Sequence, residues 1–190
     1  MWSILGEEIP MALPAALELL WNDLESVRGQ LLKEADGLSQ VQADWRAAPG
    51  DWSVGEIVQH LTMAEIQTGK LTSKLVKEAP ADARGFPADF DAITPLPPRP
   101  PGGPFRAPET ITPSHGQPIG QLLADIKAAR ARTRESLGRL GTVDARRLTW
   151  RHPAFGELDI TQWWLLAAFH DDDHLQQLRG VKAAPGFPRR

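Results

Sequence analysis

Two histidines four residues apart, His170 and His174, are the side chains of this 190-residue sequence best placed to do chemistry. They stand in Phe169-His170-Asp171-Asp172-Asp173-His174-Leu175, inside a stretch (163–178) with helical periodicity. At about 100° per residue, positions four apart nearly superimpose, so both imidazoles share a face with Trp163, Leu166 and Ala167. Two neutral imidazoles so placed can bind one divalent cation from a single helix. A third, His60, lies in Ser53-Val54-Gly55-Glu56-Ile57-Val58-Gln59-His60-Leu61, on the apolar side of an earlier helical segment. Three imidazoles from two packed helices would leave coordination positions open, as catalytic sites do, whereas closed structural sites usually take four protein ligands. Spacing alone leaves a second reading open, in which these are core imidazoles satisfied by hydrogen bonds. A lone histidine is more often that, but two unpaired imidazoles on one buried face are hard to justify.

The neighbouring residues sort themselves by position. Asp172 projects opposite the histidines and reads as a solvated carboxylate. Asp171 and Asp173 flank the apolar stripe, where a carboxylate could orient an adjoining helix or support an imidazole from behind. The string His170-Asp171-Asp172-Asp173-His174 differs from the His-Glu-x-x-His protease motif, because Asp171 is one methylene short of the general-base glutamate. His115 falls in a loop and His152 precedes Pro153 in a turn, so both are left outside the site. No dedicated acid or nucleophile stands out. The chain has neither cysteine nor tyrosine, which excludes disulfides, thiolate ligands and a cysteine nucleophile.

Four helical segments must position these residues. The first spans about 14–35, with Leu17, Leu20, Trp21, Leu24, Val27, Leu31 and Leu32 as its stripe and Gly37 as its stop. The second opens on Ser53 and Glu56, a capping box, and runs to about 78 through Val54, Ile57, Leu61, Ala64, Thr68, Leu71 and Leu75. The third is expected from Pro118, suited to the first helical position, to Leu140, with Gly141 ending it. The fourth follows a turn at Trp150-Arg151-His152-Pro153-Ala154-Phe155-Gly156-Glu157-Leu158, opens on the capping pair Asp159 and Gln162, and is expected to close at Gly180. No strand is assigned, although 148–150 could extend briefly. Residues 80–118 hold eleven of the seventeen prolines, so no regular helix crosses them. Two readings of that segment are open: a loose excursion, or a strap or lid anchored by Phe86, Phe90 and Phe105. Four helices of about 20 residues with one long connection describe an all-α, antiparallel four-helix bundle with a crossover, in one domain covering 1–190.

Composition sets the outer limits. A hydrophobic fraction of 42% and a charged fraction of 24% are ordinary for a globular chain able to bury a core. A formal charge of −3 without a basic run argues against nucleic acid as a partner. The acidic start, Met-Trp-Ser-Ile-Leu-Gly-Glu-Glu, does not read as a signal peptide, and the apolar stretch 163–169 is too short to span a bilayer. The expectation is a cytoplasmic protein that acts on a small molecule, with no membrane partner and with a homodimer left open.

Three pieces of the chain, in order, resemble the DinB-like superfamily of metal-binding four-helix bundles. They are Trp52-Ser53-Val54-Gly55-Glu56-Ile57-Val58-Gln59-His60-Leu61, then His152-Pro153-Ala154-Phe155-Gly156-Glu157-Leu158, then His170-Asp171-Asp172-Asp173-His174-Leu175-Gln176-Gln177-Leu178. The likeness covers nearly the whole chain and is weakest in the proline-rich segment. It implies that His60, His170 and His174 are metal ligands and that the His-Pro-x-x-Gly stretch is structural. Characterised members include transferases that use low-molecular-weight thiols such as bacillithiol or mycothiol, and a thiol-dependent isomerase. Others are described as metal-dependent hydrolases, and many have no known activity. Three imidazoles suit zinc or nickel, and also iron or copper. Such a cation would stabilise a thiolate supplied by a small-molecule thiol cofactor, or activate a bound water for hydrolysis. A metal-binding, stress-associated protein without turnover is the third alternative.

Overall fold

In the computed structural model, which describes residues 12–98, 101 and 107–189, the first leucine stripe forms α1 (Ala15–Ala35), with Leu17, Leu20, Leu24 and Leu31 buried. The chain leaves it through Gly37, whose φ of 67° lies in the left-handed region that favours glycine after a helix end. A short helix that periodicity does not reveal, α2 (Gln40–Asp44), follows and is started by a capping box between Ser39 and Gln42. The expected capping box opens α3 (Val54–Lys77): the Ser53 hydroxyl accepts from the Glu56 N–H, and the Glu56 carboxylate accepts from the Ser53 N–H. Pro118 caps α4 (Ile119–Leu140) rather than sitting inside it, and its carbonyl accepts from the Gln121 and Leu122 amides.

Where a turn was expected, the chain builds an antiparallel hairpin of β1 (Thr149–His152) and β2 (Gly156–Asp159), with His152 opposite Gly156. Strands of four residues are too short for alternation to identify. Asp159 and Gln162 then cap α5 (Ile160–Ala183) as expected. Gly180 does not end this helix. Beyond it Val181 is buried and the Lys182 ammonium reaches the Glu34 carbonyl and carboxylate, so tertiary contacts carry the helix another turn.

Side-chain pairs set the helix directions. Arg28 meets Asp171 and Glu34 meets Arg179, so α1 and α5 run the same way. Glu65 meets Thr133 and Ser73 meets Arg139, so α3 and α4 also run the same way. Thr72 meets Trp164 while His60 meets His170, which makes α3 and α5 antiparallel; Glu18 meeting Arg134 and Glu25 meeting Arg130 do the same for α1 and α4. Two same-direction neighbours joined in sequence require a connection that returns the length of the bundle. This is the physical reason for the long segment between α3 and α4.

That segment is tied down along its described length. Phe90 is buried in the core with Phe86 and Ile93 packed beside it, while residues 99–100 and 102–106, Phe105 among them, lie outside the described residues, as do 1–11. The Ala83 carbonyl accepts from the Asp144 amide and Gly85 donates to the Thr142 carbonyl. Gln162 Nε2 donates to the Pro95 carbonyl, Ser114 N–H to Gln59 Oε1, and the Gln40 side chain spans Gln117 and Ile119. Between them these bonds join the described parts of the segment to α2, α3, α5 and the loop after α4.

The core has two apolar halves. One gathers Leu17, Leu20, Leu24, Leu137, Leu140, Ile160 and Trp164; the other gathers Leu31, Ile57, Leu61, Ile126, Leu175 and Leu178. Arg28, Glu65, Arg130 and Asp171, one from each long helix, are buried between them in sequence on every helix.

Candidate metal centre

The antiparallel packing of α3 on α5 brings the three predicted histidines together. His60 is buried, His170 and His174 are half-buried, and one nitrogen from each lies within 4.8 Å of the others. His60 Nε2 and His174 Nε2 are each 3.1 Å from His170 Nε2. The opposite edges of two rings determine their tautomers. His60 Nδ1 lies 2.7 Å from the Ile111 carbonyl oxygen, which can only accept, so the proton is on Nδ1 and the Nε2 lone pair faces inward. His174 Nδ1 lies 2.7 Å from Gln177 Oε1, with the same consequence. Two inward lone pairs therefore face His170 Nε2, which carries at most one proton. A divalent cation shared by the three nitrogens satisfies all of them, and the donor set fits a borderline-soft metal.

Electrostatics keep the three imidazoles in the neutral form that could bind a metal. Burial lowers His60 to about 4, with the His174 ring adding to the shift and the Ile111 carbonyl opposing it. Burial lowers His170 to about 3, assisted by His174, His60 and Arg28. Burial also lowers His174, against the pull of Gln177, Asp171 and Asp173. All three are neutral at pH 7. Trp52 walls one side, its ring 4.7 Å from that of His60 and stacked 5.8 Å from that of His174.

The remaining expectations divide. Asp171 belongs to the core rather than to the open side of the histidines. Its carboxylate accepts from Arg28 Nε and Nη2 at 3.0 and 2.9 Å and from Arg130 Nη2 at 2.9 Å. Glu65 completes the group, 2.8 Å from Arg28 Nη1 and 2.9 Å from Arg130 Nε, and it accepts from the Thr133 hydroxyl. Asp171 thus ties α5 to α1 and α4, and it could not be placed without knowing that Arg28 and Arg130 are buried. Asp173 is exposed on the next position and acts on His174 through charge. Asp172 is exposed and accepts from Gln176, as its position required. His115 is exposed and reaches Glu56 at 3.4 Å.

Four contributors escaped the sequence reading. The Ile111 carbonyl has no side-chain signature at all. Gln177 stands three residues after His174, a spacing that helical geometry could have flagged. Trp52 immediately precedes the capping serine. His152, left in a turn, ends β1, packs 4.9 Å from the Trp163 ring, and lies close enough to His170 that a charge on either ring would disfavour one on the other.

The fold and this cluster define a class, a four-helix bundle with three convergent histidines. The chain belongs to the DinB superfamily, whose family model matches residues 23–178. It is 24% identical over 151 residues to the uncharacterized protein YuaE of Bacillus subtilis (strain 168), covering 78% of this chain and 88% of that protein. Its fold is similar to that of TT2238, a four-helix bundle protein, with a TM-score of 0.60 and 21% identity over 86% of this chain and 98% of the other.

Proposed function

We propose that this chain is a metal-dependent transferase in which His60, His170 and His174 hold a divalent cation, zinc or nickel first, that activates a low-molecular-weight thiol of the bacillithiol or mycothiol type. The supporting observation is the pair of inward lone pairs, on His60 by way of Ile111 and on His174 by way of Gln177, both aimed at His170 Nε2. A cation there would supply the Lewis acidity that favours a thiolate at neutral pH. The chain's own residues hold neutral imidazoles in fixed tautomers, keep the His60 side dry, and leave His170 and His174 half open. Since the chain has no cysteine, the thiol must come from solution.

The test is conjugation of a model electrophile with bacillithiol, mycothiol and glutathione, using metal-loaded and chelated protein. Thiol consumption by the loaded form alone is the expected result. Equal rates in both forms would remove the metal from the reaction. Turnover that needs metal but no thiol would make the protein a hydrolase, and tightly bound metal with silence in both assays would make it a binding protein. His60→Ala, His170→Ala and His174→Ala should each strip bound metal to background in elemental analysis, because one ligand of three is lost.

A further inference from the structure

The hairpin before α5 carries a histidine that holds its turn through one ring nitrogen and has a second, donating nitrogen to spare. His152 Nδ1 accepts two backbone amides, from Ala154 at 3.1 Å and Phe155 at 3.2 Å. An accepting Nδ1 places the proton of the neutral ring on Nε2. That N–H has no acceptor among the described residues. Burial lowers the ring's pKa, so it is neutral at pH 7 and keeps this tautomer.

The ring is held in place. It packs edge-on against Trp163 at 4.9 Å and tilted against Phe155 at 5.3 Å, and the Trp163 indole N–H in turn donates to the Trp150 carbonyl of β1. Trp163 and His170 are seven residues apart on α5, hence on one face and about 10 Å apart along the axis. The small Ala167 stands between them on that face, and His152 lies near enough to His170 for a charge on either ring to disfavour one on the other.

We propose that His152 Nε2–H is a substrate-binding donor, which recognises a carboxylate or carbonyl oxygen several bonds from the atom held at the metal. This rests on the metal reading above and adds to it a specificity: the preferred thiol or electrophile carries such an acceptor. The Nδ1 contacts are those an asparagine Oδ1 can reproduce, accepting amides two and three residues on. His152→Asn therefore keeps the turn acceptor and leaves no donor at the Nε2 position, which the shorter amide does not reach.

The experiment uses cobalt-loaded protein and follows thiolate-to-cobalt absorption during titration with ω-mercaptocarboxylates of increasing length and with alkanethiols of matching length. In the natural chain, one length of carboxylate thiol should bind about tenfold tighter than its alkyl counterpart, the gain from a hydrogen bond to a charged acceptor. His152→Asn should abolish that gain and leave alkanethiol affinity unchanged, while the loss of ring packing lowers the thermal midpoint for apo and loaded protein alike. His152→Asp, which keeps the turn acceptor and adds a negative charge, should bind the carboxylate thiol more weakly than the alkyl one. An undiminished gain in His152→Asn, or equal losses for both thiol types, would overturn the assignment. No cobalt in the natural chain would instead overturn the metal reading on which it depends, whereas cobalt uptake with no preference at any length would overturn His152 alone.

Discussion

At the scale of single residues, the candidate site depends on groups that never touch the meeting point of the three nitrogens. Gln177 is the clearest case. Its Oε1 holds the His174 proton on Nδ1, 2.7 Å away, and so keeps the Nε2 lone pair pointed inward. Gln177→Ala frees the ring to turn and to exchange tautomers, and the loss of such an outer partner typically lowers metal affinity about 10–100-fold. Competition with a chelator of known affinity would measure it. Gln176→Ala, one position away and, among the described residues, bonded to Asp172, should leave the affinity unchanged.

At the scale of the elements, two features carry the bundle. Glu56 closes the capping box of α3 and accepts from the Arg46 guanidinium. Burial alone would raise its carboxyl, but the bonds from Arg46, from Ser53 and from His115 outweigh it and bring it from 4.5 to about 2. A lowered carboxyl stabilises the fold fully above pH 4.5 and progressively less as pH falls toward 2. With Arg46 partly exposed, the effect is on the order of 1–3 kcal/mol. Glu56→Gln should flatten that part of the acid-unfolding curve, as followed by circular dichroism from pH 5 downward. The second feature is the buried layer of Arg28, Glu65, Arg130 and Asp171. Two cations and two anions, one from each long helix, neutralise one another while separating the apolar halves of the core. Arg28→Leu leaves two carboxylates facing Arg130 alone, a loss that costs about 3–5 kcal/mol for a broken buried pair. A urea titration should show it as a lower midpoint, partly recovered in Arg28→Leu combined with Asp171→Leu.

At the scale of the whole molecule, the long connection is part of the site. It returns along the bundle because α3 and α4 run the same way, and near its end it delivers the Ile111 carbonyl to His60. Its two described stretches are held differently. The stretch before residue 99 rests on buried Phe90 and on backbone bonds to residues 142–144, whereas the stretch from 107 depends on the Gln59 bond to Ser114 and on the Gln40 bonds to Gln117 and Ile119. Gln59→Ala should therefore speed hydrogen exchange of the Ser114 amide and its neighbours and leave residues 83–90 unchanged. Acceleration along the entire strap would mean that its two parts dock as a single unit.

Much of this was legible in the chain, and the reason lies in local geometry. A 3.6-residue period places Leu17, Leu20, Leu24 and Leu31 on one face wherever the helix packs, and a capping box at Ser53 or Asp159 is settled within four residues. The convergence of His60 with His170 and His174 followed from two such faces, once α3 and α5 were taken to pack. Contacts between distant segments were beyond that reach. The continuation of α5 past Gly180 depends on Glu34, the position of Asp171 depends on arginines 143 and 41 residues away, and the tautomer of His60 depends on a carbonyl 51 residues further on. A backbone carbonyl carries no side-chain signature, and a buried charge is favourable only beside partners that the fold supplies. Those decisions belonged to the tertiary structure.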